Sequence, residues 1–149
     1  MRRYLIWTIL SLPTALFAQT PATDCCELKV SSGQNSRTEL TATVTNIGQP
    51  TISLTITGPT RDFGVRVTAA DTGQEPKRTE YGKRLLTEPW SGGSMGHKEL
   101  ATGESISQTL DLSKIFEFGP GTYDVSLTRN VRLDGKSIQL EVGTQIRIP

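Results

Sequence analysis

Histidine, cysteine and aromatic residues are all scarce in this chain of 149 residues, with one histidine, two cysteines and 6% aromatics. A catalytic zinc takes three protein ligands, mostly histidine and cysteine. His97 stands alone, with no H-E-x-x-H or C-x-x-C spacing around it, so no metal site and no cofactor is expected. Charge of one sign is also missing. Sixteen basic and 15 acidic residues leave a net charge of +1, which gives no bulk attraction for nucleic acid. No window carries apolar residues at a 3.6-residue period for three turns, so no long amphipathic helix is expected. The length fits one domain with a leader, and hardly two full domains.

The leader is the first thing present. Met1-Arg2-Arg3 is a short basic start, Tyr4 to Leu12 is mostly apolar, and Ala15-Leu16-Phe17-Ala18 ends on a small residue before polar Gln19-Thr20. That order reads as a secretory signal peptide over residues 1–18. The apolar run is shorter than the roughly 20 residues that span a bilayer, so no membrane span is expected after leader removal. The expected setting is secreted or periplasmic. Residues 19–36 then form an N-terminal segment with a first strand, and 37–149 a β-sandwich domain.

Period-2 alternation runs through the remainder. Leu40, Ala42 and Val44 alternate with Thr41, Thr43 and Thr45, and Ile52, Leu54 and Ile56 with Ser53 and Thr55. Strands are expected near Glu27–Val30 and over 38–45, 51–57, 62–69, 104–112, 121–132 and 137–148, separated by Gly- and Pro-bearing turns. Asp134-Gly135 signals a two-residue type I′ hairpin. With that turn, Tyr123 faces Ile146, Val125 Thr144, Leu127 Val142, Arg129 Leu140 and Val131 Ile138, so one face is largely apolar. A slip of one residue would destroy this match. Seven short strands without covering helices point to an all-β fold, an immunoglobulin-like antiparallel β-sandwich, with a small barrel as the alternative. Leu112 to Phe118 is the candidate for a helical turn, and Tyr123 for a corner tyrosine. Gln74 to Thr102 shows little alternation and reads as a long loop with short edge strands near Thr79–Gly82 and Leu85–Leu86.

Several residues carry chemistry on paper. Gly92-Gly93-Ser94-Met95-Gly96 satisfies G-x-S-x-G, but that motif acts where a strand feeds a helix, and neither is expected here. The chain is therefore read as not an enzyme. Asp62, Asp71 and Asp134 read as turn residues. Cys25-Cys26 is unusual, because neighbouring strand residues point to opposite faces and should not both be buried. Three fates stay open: unpaired or capped thiols, a bridge to another chain giving a disulfide-linked dimer, or a vicinal disulfide. Trp90 and His97 in the Gly-rich loop are candidate partner-binding residues, with capping of the sandwich as the plain alternative for Trp90. Arg129, Arg132 and Lys136 are candidates at the hairpin tip, which is long enough to overhang the core. Basic residues also protect edge strands from aggregation.

Leu40 to Leu127 resembles the amino-terminal β-sandwich module of deuterolysin-type (aspzincin) metallopeptidases. The resemblance rests on Thr45-Asn46-Ile47-Gly48-Gln49-Pro50, Asp62 to Val67, Tyr81 to Arg84, Leu100 to Ser113, and Gly121-Thr122-Tyr123-Asp124-Val125. It implies a fold and an extracytoplasmic setting without peptidase activity, since the family's catalytic domain has no counterpart. The expected function is a secreted non-catalytic module that binds a protein, glycan or envelope surface. The alternative is a loop-based peptidase inhibitor. Glu88-Pro89-Trp90 followed by Gly92-Gly93 is similar to loops of immunoglobulin-like cysteine-peptidase inhibitors, whereas Asn46 to Thr51 departs from their first loop.

Overall fold

A computed structural model of the protein describes residues 24–33, 36–88 and 95–149. The expected leader, Trp90 and the Gly92-Gly93-Ser94 segment lie outside the described residues. The elements in chain order are β1 (Cys26–Ser32), β2 (Glu39–Asn46), β3 (Ile52–Ile56), α1 (Pro59–Asp62), β4 (Gly64–Ala69), α2 (Glu80–Thr87), β5 (Gly96–Leu100), β6 (Ser105–Asp111), β7 (Gly121–Leu133) and β8 (Lys136–Ile148), with a 3₁₀ turn at Leu112–Lys114. They form two antiparallel sheets, β1-β2-β6 and a five-stranded sheet of β4, β7, β3, β5 and β8. The fold is all-β, as the alternation implies. β1 pairs with β2 along its length, so the strand of the N-terminal segment is part of the three-stranded sheet.

Alternation decides what the sheets bury. Leu40, Ala42 and Val44 of β2 join Leu110 of β6, Ile52 and Leu54 of β3, and Val125, Leu127 and Val131 of β7 in one core. On the outer face of the smaller sheet, Thr43 meets Ser107 and Thr45 meets Ser105 across the strands, each pair 2.8 Å apart. Such cross-strand hydroxyl pairs favour this register over a slipped one.

The β7–β8 hairpin has the expected register throughout, from Gly121 opposite Ile148 to Leu133 opposite Lys136. Asp134 and Gly135 have φ of 50° and 77°, both positive as a type I′ turn requires. The tip does not overhang the core. Ile52 of β3 pairs with Leu133, and Val131 is fully buried, so the ribbon is packed up to its turn.

β3 and β4 lie along the same edge of β7, β3 at Arg132–Leu133 and β4 at Tyr123–Thr128. Between them the chain leaves the sheet, turns through Gly58 and makes α1, with Pro59 in its first turn. Pro fits there because the first-turn N–H has no helical partner anyway. The expected strand from residue 62 therefore begins at Gly64.

The far end of the sandwich has a helix where edge strands were expected. In α2, Thr79 caps the N-terminus by accepting from Gly82 N at 3.0 Å, while its hydroxyl donates to Lys114 O. Gly82 lies against the Ile115 carbonyl so closely that a β-carbon would sit 2.1 Å from that oxygen. Tyr123 donates to Gly119 O at 3.0 Å and packs edge-on against Phe118 with ring centres 5.0 Å apart, the corner role expected of it. Among the described residues no helix is long and apolar enough to cross a membrane.

Candidate functional site

The registers bring separate pieces of chain to one end of the sandwich. Cys26 pairs with Asn46, Thr45 with Ser105, and Ile52 with both Leu100 and Leu133. The start of β1, the β2–β3 loop, the β5–β6 turn and the β7–β8 turn therefore share that end.

Asn46 holds these pieces together. Fully buried, it donates through Nδ2 to Pro50 O at 2.8 Å and Leu100 O at 2.9 Å, and its Oδ1 accepts from Gly48 N at 3.0 Å. Its backbone N–H donates to Glu104 O and its carbonyl accepts from Gly103 N. Every polar group of a buried amide is thus matched, which gives the loop a single arrangement. Thr102 adds a hydroxyl bond to Gly48 O at 2.7 Å. On this fixed loop Ile47 is 46% exposed.

The candidates from the sequence are scattered by the fold. Arg132 and Lys136 are exposed at the same end, flanking the hairpin turn. Their registers differ in parity, so they stand on opposite faces of the ribbon. His97 is exposed on the edge strand β5, opposite Thr55, away from that turn. Ile47 and Asn46 escaped the sequence reading, although an isoleucine inside the turn sequence Asn-Ile-Gly-Gln-Pro was a visible anomaly.

Arg129 is not a surface residue. Only 4% exposed, it faces the gap where the chain leaves the sheet between β3 and β4. Its guanidinium donates to Asp62 O and Thr55 O, taking the place of ladder hydrogen bonds that the interruption removes. The Asp62 carboxylate is 3.5 Å from the guanidinium and accepts from Thr57 N at 2.8 Å, Thr57 Oγ1 at 2.6 Å and Gln108 Nε2 at 2.7 Å. Phe63 lies under the guanidinium, 5.2 Å from its ring centre. Asp62 is therefore a buried anchor and not the turn residue that its Gly- and Pro-rich neighbourhood suggested. Gln108, the polar residue on the inner face of β6, reaches the larger sheet through it.

Burial pushes the Asp62 pKa up, but the hydrogen bonds from Thr57 and Gln108 and the Arg129 charge outweigh it and hold it below the ordinary carboxylate value. Burial draws the Arg129 pKa down against the pull of Asp62. Arg129 Nε is a buried donor without a hydrogen-bond partner among the described residues.

Both cysteines are buried, Cys25 at 7% and Cys26 at 1% exposure, against the expectation that only one could be. The strand begins at Cys26, while Cys25 sits in the preceding turn where alternation does not apply. Their sulfurs lie 2.7 Å apart and are not bonded as a disulfide.

Comparison of the chain with protein-family models, with curated proteins and with solved structures finds no match.

Proposed function

We propose that this protein is a secreted or periplasmic, non-catalytic β-sandwich module, of the kind found at the amino terminus of deuterolysin-type metallopeptidases. It binds a protein, glycan or envelope surface through the sandwich end that carries Ile47, Arg132 and Lys136. The observation that carries this reading is the Asn46-pinned loop with Ile47 exposed on it. A preorganised apolar contact gives affinity at little cost in ordering, and Arg132 and Lys136 are exposed at the same end of the sandwich. The long basic side chains add charge complementarity and speed encounter with an acidic surface. The buried Asp62–Arg129 pair supports the same reading, since its partners are parts of the fold.

The test is binding of the purified protein to the envelope fraction of its source, beside a glycan array, for wild type and for Ile47→Ala with Arg132→Ala and Lys136→Ala. The triple variant should keep the wild-type melting temperature and lose at least about tenfold in affinity, roughly what one or two interface anchors carry. Equal binding by both would remove this end of the sandwich as the site.

A further inference from the structure

We propose that β8 is an interface between two copies of this chain, two β8 edges pairing antiparallel to join their five-stranded sheets into one. This inference goes beyond the binding reading above and rests on a different surface.

β8 is an edge strand of 13 residues whose ladder partner, among the described residues, is β7. β1 packs against it from the other sheet, while its own ladder is with β2. The two-residue turn at Asp134-Gly135 makes Leu133 and Lys136 a hydrogen-bonded pair. Every second residue from Lys136 onward therefore bonds to β7. The N–H and C=O groups of Ser137, Gln139, Glu141, Gly143, Gln145 and Arg147 point the other way, out of the sheet edge.

Proteins guard such an edge with a bulge, a proline or an inward-pointing charge. β5, on the other edge of this sheet, is guarded: Lys98 stands opposite the buried Leu54 and so belongs to the inner face. β8 has none of these devices between Ile138 and Ile148. Its register with β7 is unbroken, it contains no proline, and its inner-face residues from Ile138 on are apolar except for Thr144. Ile138, Val142 and Ile148 are only partly buried, an apolar rim along the edge.

The strand is complementary to itself. A two-fold axis perpendicular to a sheet sets residues of one parity opposite each other. With Thr144 on the axis, Glu141 faces the partner's Arg147 and Gly143 faces the partner's Gln145, each with its reciprocal. On the inner face Val142 faces the partner's Ile146, and Leu140 the partner's Ile148. An axis at Gly143 or Gln145 would take the two charges apart, so the charges select this register. The outward backbone groups of Glu141, Gly143, Gln145 and Arg147 are then the ones that exchange hydrogen bonds across the seam. Glu141 already accepts from Ser126 Oγ at 2.7 Å. A carboxylate takes several donors, so that bond is kept when Arg147 of the partner subunit arrives. Lys136 to Gln139 stay outside the seam, which leaves the loop end of each copy open.

The experiment is sedimentation equilibrium of the purified protein over a concentration series up to the millimolar range, with reductant present so that no disulfide links two chains. Wild type should show a monomer–dimer equilibrium. Glu141→Arg or Arg147→Glu alone sets like charges opposite each other and should weaken the dimer at least about tenfold, at unchanged melting temperature. Both reversals together should restore wild-type association, because the pair is then met in the opposite sense. A wild-type monomer at every concentration would overturn the proposal. So would a dimer that the single reversals leave intact, or one that the double reversal fails to restore. Ile47→Ala with Arg132→Ala and Lys136→Ala should leave association unchanged, so dimerisation and binding at the loop end are read apart.

Discussion

At the scale of single residues, the decisive pair is Asp62 and Arg129. Removing one partner of a buried ion pair leaves an uncompensated charge, at a cost of about 3–5 kcal/mol. Asp62→Ala should lower stability by that order in urea unfolding. Substituting both with apolar residues should not restore it, because Thr55 O and Asp62 O would lose the donors that Arg129 provides. The pair also sets a pH dependence. Asp62 has a folded pKa below its unfolded value of about 3.9. Its contribution is therefore present above about pH 4 and is lost as pH falls through the folded pKa. Chemical denaturation from pH 7 to pH 2 should show this loss in wild type, and Asp62→Asn should flatten it. An acid slope unchanged in Asp62→Asn would assign the loss to other carboxylates. Little of this was legible in the sequence. The parity of Arg129 placed it among Tyr123, Val125, Leu127 and Val131, yet its charge suggested the surface. Asp62 carried no mark beyond a neighbouring Gly-Pro, because its partners Gln108 and Arg129 are brought to it by two distant strands, β6 and β7. The cysteines misled for a narrower reason: strand alternation was applied to both, whereas Cys25 lies in the turn before β1.

At the scale of elements, legibility follows the length and amphipathicity of each segment. The β7–β8 hairpin could be paired residue by residue because its two strands of 13 residues alternate cleanly around a turn with strong dihedral demands. Gly135→Ala should place a β-carbon at φ of 77° and cost on the order of 1 kcal/mol. A thermal melt of this variant within error of wild type would mean that the turn relaxes to another type. β5 was missed because four of its five residues are exposed and carry no alternation. Among the described residues its strand character comes from pairing with β3. α2 spans about two turns and contains a glycine, too little for a periodic stripe to emerge. Gly82 is there because of its neighbour: Gly82→Ala would drive a β-carbon into the Ile115 carbonyl and should cost about 1–3 kcal/mol through displacement of the helix. Protease cleavage within residues 80–87 should quicken in that variant, since a displaced helix exposes its backbone. Unchanged cleavage would mean that Gly82 is dispensable for docking.

At the scale of the whole molecule, both sheets contribute to one core, and the Gln108–Asp62–Arg129 chain ties them in polar terms as well. The protein should therefore unfold in a single cooperative step. Far-UV and near-UV circular dichroism should give coincident urea transitions, and a separation between them would show that one sheet melts ahead of the other. The two-layer arrangement was readable from the number and spacing of alternating runs. The arrangement of the loop end was not, because it depends on Asn46 meeting Leu100 and Glu104, residues that only the completed registers bring together.

β7 is the template of the larger sheet, holding β8 on one edge and β3 and β4 on the other. It is also encoded late, after residue 120. A polypeptide emerging amino-terminus first from a ribosome carries β3 and β4 before the strand on which they assemble has been made. Completion of that layer should therefore wait until the residues beyond 120 have emerged.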